Sequence, residues 1–164
     1  MKLKQVCIVM NSRAGTYLQE ESRELVRSLL EVCGEYQVKA QMIVAKPENI
    51  NDYILEAQDP EKGYDALFLA GGDGTLTHAL PILLKAAIPV GILPLGTMNM
   101  IARDLEIPLE PVEALRSLLS GKPQCIDVIK LNDRLFVDRV TLGFYPRVLK
   151  EWQNTRGEGW WSRA

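Results

Sequence analysis

Three short segments combine glycine with hydroxyl and amide side chains, and these are the residues whose types and spacing could do chemistry. They are Asn11-Ser-Arg-Ala-Gly15, Gly71-Gly-Asp-Gly-Thr75 and Pro94-Leu-Gly-Thr-Met-Asn99. Glycine lets backbone N–H groups approach an anion closely, and a helix that begins at such a segment adds the positive end of its dipole. The chemistry that these residue types favour is the binding of a phosphate group.

The middle segment carries an acid, Asp73, among its glycines. A carboxylate repels a phosphate, so Asp73 suits the site if it meets the phosphate through Mg²⁺ or orients a reacting hydroxyl. The alternative is a sharp strand–helix turn in which the glycines serve only for their backbone angles. The lone histidine, His78, is either a general base or a residue on a helix surface; we favour the surface, because no partner that would orient it is identifiable.

Each glycine segment follows a short apolar run, and helical patterns lie between the runs. The sequence predicts strands over residues 5–10, 37–44, 64–70 and 90–93, and helices over residues 16–33, 50–58, 76–85, 98–105 and 111–119. Thr16 is the expected N-cap of the first helix and Gly34 its expected end. Pro81 is expected to kink or delay the third helix.

Near-continuous apolar strands separated by helices indicate an open, mostly parallel α/β sheet with helices on both faces. Ligands of such sheets bind beyond the carboxyl ends of the strands, which is where the three glycine segments fall. The spacing matches neither a Walker loop nor a dinucleotide-binding fingerprint. The sequence therefore predicts a nucleotide cleft of another type at this edge.

The composition excludes several classes of protein. The chain has 164 residues, of which 47% are hydrophobic and 24% charged, as in an ordinary globular domain. With 19 basic and 21 acidic residues it lacks the basic excess of a general nucleic-acid binder. The first apolar run is too short for a signal peptide, which favours a soluble, cytoplasmic chain. Cys7, Cys33 and Cys125 are interpreted as small core residues rather than a disulfide or zinc framework.

The character of the chain changes near residue 124, which divides it into an expected nucleotide-binding α/β domain over residues 1–124 and the start of a β domain over residues 125–164. Two β-type runs, 125–131 and 135–142, are joined by Asn132-Asp133-Arg134, which indicates a hairpin. The tail then carries Trp152, Trp160 and Trp161 among basic residues. Two interpretations stay open: contact with an anionic membrane surface, or packing near a further domain or between chains, which would drive self-association.

The order of these motifs resembles the diacylglycerol kinase catalytic domain, a family that includes bacterial lipid kinases, sphingosine kinases and ceramide kinases. The resemblance rests on Gly71-Gly-Asp-Gly-Thr-Leu76, Gly91-Ile-Leu-Pro-Leu-Gly-Thr-Met-Asn99 and Ile101-Ala-Arg-Asp-Leu-Glu-Ile-Pro108, and it covers residues 6–143. This chain departs from the usual family pattern at five positions: Ser12, Val44, Thr77, His78 and Met100.

The resemblance implies a fold, an activity and a set of site residues. The fold is an N-terminal nucleotide domain like that of NAD kinase and phosphofructokinase, followed by a β-sandwich that this chain mostly lacks. The activity is transfer of the γ-phosphate of ATP, with Mg²⁺, to the hydroxyl of a lipid such as diacylglycerol. Asp73 would be catalytic and near the metal, and the general base is expected beyond Ala164. The nucleotide or its phosphates would contact Asn11, Gly15, Gly71, Gly72, Asp73, Gly74, Thr75, Gly96, Thr97 and Asn99.

Two alternatives to a lipid kinase stay open, one of them another enzyme and the other a different class of function. The same scaffold serves kinases of soluble substrates that resemble NAD kinase, and it could also serve as a nucleotide-binding or interaction domain without catalysis. Asn99 is expected to brace its turn rather than touch substrate. Met98 and Met100 are interpreted as packing at a helix start. Arg103 and Asp104 either pair locally or face the cleft.

Overall fold

Strands of five to seven residues form a parallel sheet at the centre of the chain. The computed structural model describes residues 3–14 and 19–137. The strands are β1 (Gln5–Asn11), β2 (Lys39–Ala45), β3 (Ala66–Gly71) and β4 (Val90–Pro94), in the spatial order β2-β1-β3-β4. All residues of β3, and all of β1 except its first, are buried, as expected for strands covered on both faces. The predicted parallel α/β sheet is confirmed.

Helices cover both faces of this sheet, because alternate side chains of each strand point to opposite sides. On one face, Ile8 and Met10 pack in a cluster that includes residues of α1 (Gln19–Glu35) and α5 (Pro111–Ser120). On the other face, Cys7 and Val9 pack with residues of α2 (Ile50–Ala57), α3 (Asp73–Leu83) and the short α4 (Met100–Asp104). Two 3-10 helices, Pro47–Asn49 and Pro60–Lys62, lie on either side of α2.

The start of helix α3 differs from the one expected from the sequence. Helix α3 begins at Asp73 rather than at residue 76, because the extended backbone of Gly72 (φ −94°, ψ −179°) caps it three residues earlier. Pro81 lies inside α3 and does not delay it. Proline lacks the N–H that would donate to the carbonyl of Thr77. Because Thr77 is exposed, water can donate to that carbonyl instead.

Helix α1 continues past Gly34 and ends in a Schellman motif at Gln37, so the predicted end was wrong. The N–H of Gln37 donates to the carbonyl of Gly34 at 3.0 Å, and that of Val38 to the carbonyl of Cys33 at 2.8 Å. Gln37 has the left-handed φ of 58° that this motif requires. Gly34 lies within the helix, three residues before Gln37, and the predicted N-cap, Thr16, lies outside the described residues.

The left-handed backbone at Gln37 leads to a stability prediction. A residue with a Cβ is destabilised by roughly 1–2 kcal/mol in this conformation, whereas glycine loses more conformational entropy on folding. We therefore expect Gln37→Gly to raise the free energy of unfolding by about 0.5–1 kcal/mol, measured by denaturant titration. Gln37→Ala serves as the control and is expected to give no gain, because alanine keeps the Cβ.

The cysteine interpretation holds for two of the three residues. Cys7 and Cys33 are buried, and burial raises the pKa of each thiol to about 11, so both are protonated core residues at neutral pH. Cys125 is exposed, and for this residue the prediction was wrong. The reason is local: residues 121–127 lie outside both clusters and are all exposed.

The predicted hairpin is present but short. Strands β5 (Ile129–Leu131) and β6 (Arg134–Phe136) pair in antiparallel fashion across a two-residue turn, in which Asn132 has a left-handed φ of 54°. The rest of its second strand and the tryptophan tail lie outside the described residues, and the domain boundary stays a prediction. In the described ranges, no helix combines the length and apolar character needed to cross a bilayer.

Candidate functional site

The carboxyl ends of β1, β3 and β4 bring the three glycine segments to one edge of the sheet. Met10 lies opposite Ala70 across β1 and β3, and Gly71 lies opposite Pro94 across β3 and β4. The residues that follow each strand therefore leave the sheet side by side. Gly15 is the exception among the predicted site residues, since it lies outside the described residues.

The second and third glycine segments touch through their backbones. A Cβ on Gly96 would lie 2.6 Å from the Cα of Gly72, and one on Gly72 would lie 2.9 Å from the Cα of Gly96. The N–H of Leu95 also donates to the carbonyl of Gly71 at 3.0 Å, which continues the sheet pairing beyond β4. The two glycines are therefore required for close packing of the turns themselves, whatever they bind.

Asn99 braces the turn between β4 and α4, as expected. Its Oδ1 accepts the N–H of Gly96 at 2.8 Å, and its Nδ2 donates to the carbonyl of Gly96 at 2.7 Å. The side chain is only 9% exposed, and the backbone is left-handed, with φ 49°. Asparagine tolerates this conformation better than most residues. A direct contact of Asn99 with nucleotide stays a prediction.

Asp73 joins the β3–α3 turn to α4. Its Oδ1 accepts the backbone N–H of Ile101 at 3.0 Å. The segment Gly71–Thr75 is thus not a free loop: Gly72 is the N-cap, and Asp73 opens the first turn of α3. The carboxylate is half-buried, and its Oδ2 receives no hydrogen bond from the part of the chain that the structure describes. Sequence reasoning missed the partner of Asp73, because a main-chain N–H 28 residues away leaves no signal in residue type.

Asn11 joins the first glycine segment to the second. Its Nδ2 donates to Oγ1 of Thr75 at 2.8 Å, and its Oδ1 accepts the N–H of Arg13 at 2.9 Å. Gly71 leaves room for this contact, because a Cβ there would lie 2.8 Å from the same Oγ1. The predicted residues Asn11 and Thr75 are therefore in direct contact.

The first turn of α3 presents the groups that an anion needs. The N–H groups at the start of a helix have no acceptor within it, and here they belong to Asp73 and Gly74. Thr97, another predicted residue, is exposed on the neighbouring turn. The N–H groups at the start of α3 can donate hydrogen bonds to phosphate oxygens, and the carboxylate of Asp73 lies beside them.

A magnesium ion fits this site only together with phosphate. The described residues contain no group of three or more His, Cys, Asp or Glu side chains that could hold a metal ion. Mg²⁺ is commonly bound through one or two carboxylates together with substrate phosphates, and Asp73 is half-buried beside the start of α3. The donor set therefore fits an ion that arrives with a nucleotide.

The lesser candidates lie at the margin of the site. His78 is exposed on α3, as expected, with its Nε2 3.3 Å from Nδ2 of Asn51. Arg103 donates through Nε to the carbonyl of Met98 at 2.9 Å, so it contacts the β4–α4 turn. Met98 itself is 62% exposed, and its interpretation as a packing residue was wrong, because it projects from the turn before α4 begins at Met100.

A cavity of about 670 Å³ lies along the edge of β4. Its lining is mostly apolar and includes Leu80, Leu84, Val90 and Ile126. None of the predicted phosphate-binding residues contributes to it. A phosphate needs N–H donors and positive charge, so the glycine turns, rather than this cavity, form the candidate site.

Comparisons with known proteins agree with the geometry. Residues 5–131 match the family described as "Diacylglycerol kinase catalytic domain". The chain is 34% identical over 153 residues to a diacylglycerol kinase of Staphylococcus aureus (strain MRSA252), covering 90% of this chain and 46% of that protein. It is 41% identical over 106 residues to the Serratia proteamaculans protein named "Probable lipid kinase YegS-like", covering 60% of this chain and 33% of that protein.

A solved structure supports the fold. A diacylglycerol kinase from Bacillus anthracis superposes with a TM-score of 0.67 at 22% identity, over 83% of this chain and 50% of that one. The chain thus spans half or less of the length of each of these relatives. Because the family match covers most of the chain and includes the residues that form the glycine turns, this protein belongs to the diacylglycerol kinase catalytic-domain family.

Proposed function

We propose that this chain is the nucleotide-binding part of a kinase that transfers the γ-phosphate of ATP to the hydroxyl of a lipid such as diacylglycerol. The observation that carries the proposal is the open first turn of α3 beside the carboxylate of Asp73. The names of the relatives support a lipid acceptor and favour it over a soluble substrate or a domain without catalysis.

In this proposal each residue of the site has its own role in phosphate transfer. The N–H groups of Asp73 and Gly74 bind phosphate oxygens, and the helix dipole of α3 favours their negative charge. Thr97 contacts the nucleotide from the neighbouring turn. Asp73 would hold Mg²⁺ through its Oδ2, and the ion would supply positive charge to neutralise the phosphates. The family resemblance implies a general base beyond Ala164.

The experiment is a transfer assay on the full-length protein that contains this chain, with labelled ATP and mixed micelles of diacylglycerol. We expect label in the lipid fraction only when Mg²⁺ is present. A parallel reaction with NAD in place of the lipid tests the soluble-substrate alternative. Label in NAD but not in lipid would contradict the proposal, and so would ATP binding without transfer to either acceptor.

The 164-residue chain gives a second prediction from the same reasoning. Its three glycine segments are described apart from Gly15, whereas the general base is expected beyond Ala164 only from the family resemblance. We expect the purified chain to bind Mg-ATP weakly and to transfer no phosphate to diacylglycerol. Calorimetry measures the binding, and the labelled-lipid assay measures the transfer. Robust lipid phosphorylation by this chain would show that the base is within it.

A further inference from the structure

The orientation of the Asn11 amide is fixed by its surroundings. Asn11 is 9% exposed at the end of β1, and its Oδ1 accepts the backbone N–H of Arg13. A backbone N–H can only donate, so the oxygen of the amide must face Arg13 and the NH₂ group must face the other way. That group meets Oγ1 of Thr75 at 2.8 Å. Asn11 therefore donates to the hydroxyl.

This donation decides what the Thr75 hydroxyl can do. A hydroxyl has one proton and two lone pairs, and Asn11 occupies one lone pair. Within residues 3–14 and 19–137, no group accepts the Thr75 proton; Thr77, by contrast, donates its own to the carbonyl of Asp73 at 2.8 Å. Thr75 lies in the first turn of α3, where the N–H groups are open. Its proton is thus available to an anion at the same helix end.

We propose that Asn11 is a positioning residue that sets the hydrogen-bond direction of the Thr75 hydroxyl, so that Thr75 donates to a phosphate oxygen of the bound nucleotide. This role rests on the proposed function. Asn11 acts through Thr75 and need not touch the nucleotide. It joins the first glycine segment to the second, 64 residues further along the chain.

Aspartate at position 11 would reverse this direction with little change of shape. One carboxylate oxygen would still accept the N–H of Arg13, but the other would accept the Thr75 proton and turn it away from the phosphate. The added negative charge would also repel the phosphate, so the test must separate charge from direction. Thr75→Val removes the hydroxyl while keeping the shape, and Thr75→Ser keeps the hydroxyl.

The test measures the affinity of the full-length protein for Mg-ATP and for inorganic tripolyphosphate by calorimetry. Hydrogen bonds to charged groups suggest that Thr75→Val weakens binding about 10-fold and Asn11→Asp more than that, while Thr75→Ser stays within about 3-fold. In the Thr75→Val background, Asn11→Asp should weaken binding only through its added negative charge. Ser12→Asp, which adds a charge at the neighbouring exposed position, is the matched control for that effect.

The outcomes separate the two proposals. The positioning role is supported if Asn11→Asp weakens binding several-fold more in the unmodified protein than in the Thr75→Val background. Equal costs in both backgrounds, or a cost for Ser12→Asp equal to that for Asn11→Asp, would overturn it while leaving nucleotide binding intact. Failure of the unmodified protein to bind either ligand would contradict the proposed function itself, and the role of Asn11 with it.

Discussion

Replacing Asp73 with asparagine in the full-length protein is expected to lower kcat/KM for lipid phosphorylation at least about 100-fold. Asparagine keeps an oxygen that can accept the N–H of Ile101, so the link between the β3–α3 turn and α4 survives. It removes the negative charge that Asp73 would offer to the metal ion in the proposed mechanism. The labelled-lipid assay measures the loss, and thermal unfolding checks that the fold is retained.

Two further variants are the controls for Asp73→Asn. Asp73→Ala removes both the charge and the hydrogen bond to Ile101, so it should lose activity and also unfold at a lower temperature. Glu61→Gln removes an exposed carboxylate from the 3-10 helix that precedes β3, at the other end of the sheet, and should leave activity unchanged. Activity of Asp73→Asn within about 3-fold of the unmodified protein would reduce Asp73 to a structural residue of the turn.

The location of the site could be predicted from the sequence because it depends on local patterns. Apolar runs identify the strands, and parallel strands place their carboxyl ends at one edge, so residues that follow β1, β3 and β4 must meet there. Glycine, asparagine and threonine at those positions then indicate phosphate chemistry. The bracing role of Asn99 was also predictable, since its bonds to Gly96 span only three residues.

The contacts between the glycine segments could not be predicted in the same way. Asp73 bonds a backbone N–H 28 residues away, and Asn11 bonds a hydroxyl 64 residues away. A sequence pattern gives the type of a residue but not the partner that tertiary packing selects. The prediction of the end of α1 was also wrong. The Schellman motif uses Gln37 rather than the nearby Gly34, although a left-handed backbone is uncommon for a residue with a Cβ.

The close approach of Gly72 and Gly96 leads to the largest expected effect on stability. A Cβ at Gly96 would lie 2.6 Å from the Cα of Gly72 and 2.8 Å from Oδ1 of Asn99. Backbone cannot move aside as a flexible side chain can, and Oδ1 is held by its bond to Gly96. Overpacking of this kind costs typically 1–3 kcal/mol, and we expect Gly96→Ala to lower the free energy of unfolding by about 3 kcal/mol.

The matched control is Gly74→Ala in the same glycine motif. A Cβ at Gly74 meets nothing within 4 Å, and Gly74 lies in the first turn of α3. Alanine is favoured over glycine in a helix by about 0.5–1 kcal/mol, so this variant should be neutral or slightly more stable in denaturant titration. Equal stability of Gly96→Ala and Gly74→Ala would mean that the two turns can separate at no cost. The contact between their backbones would then not hold the phosphate site together.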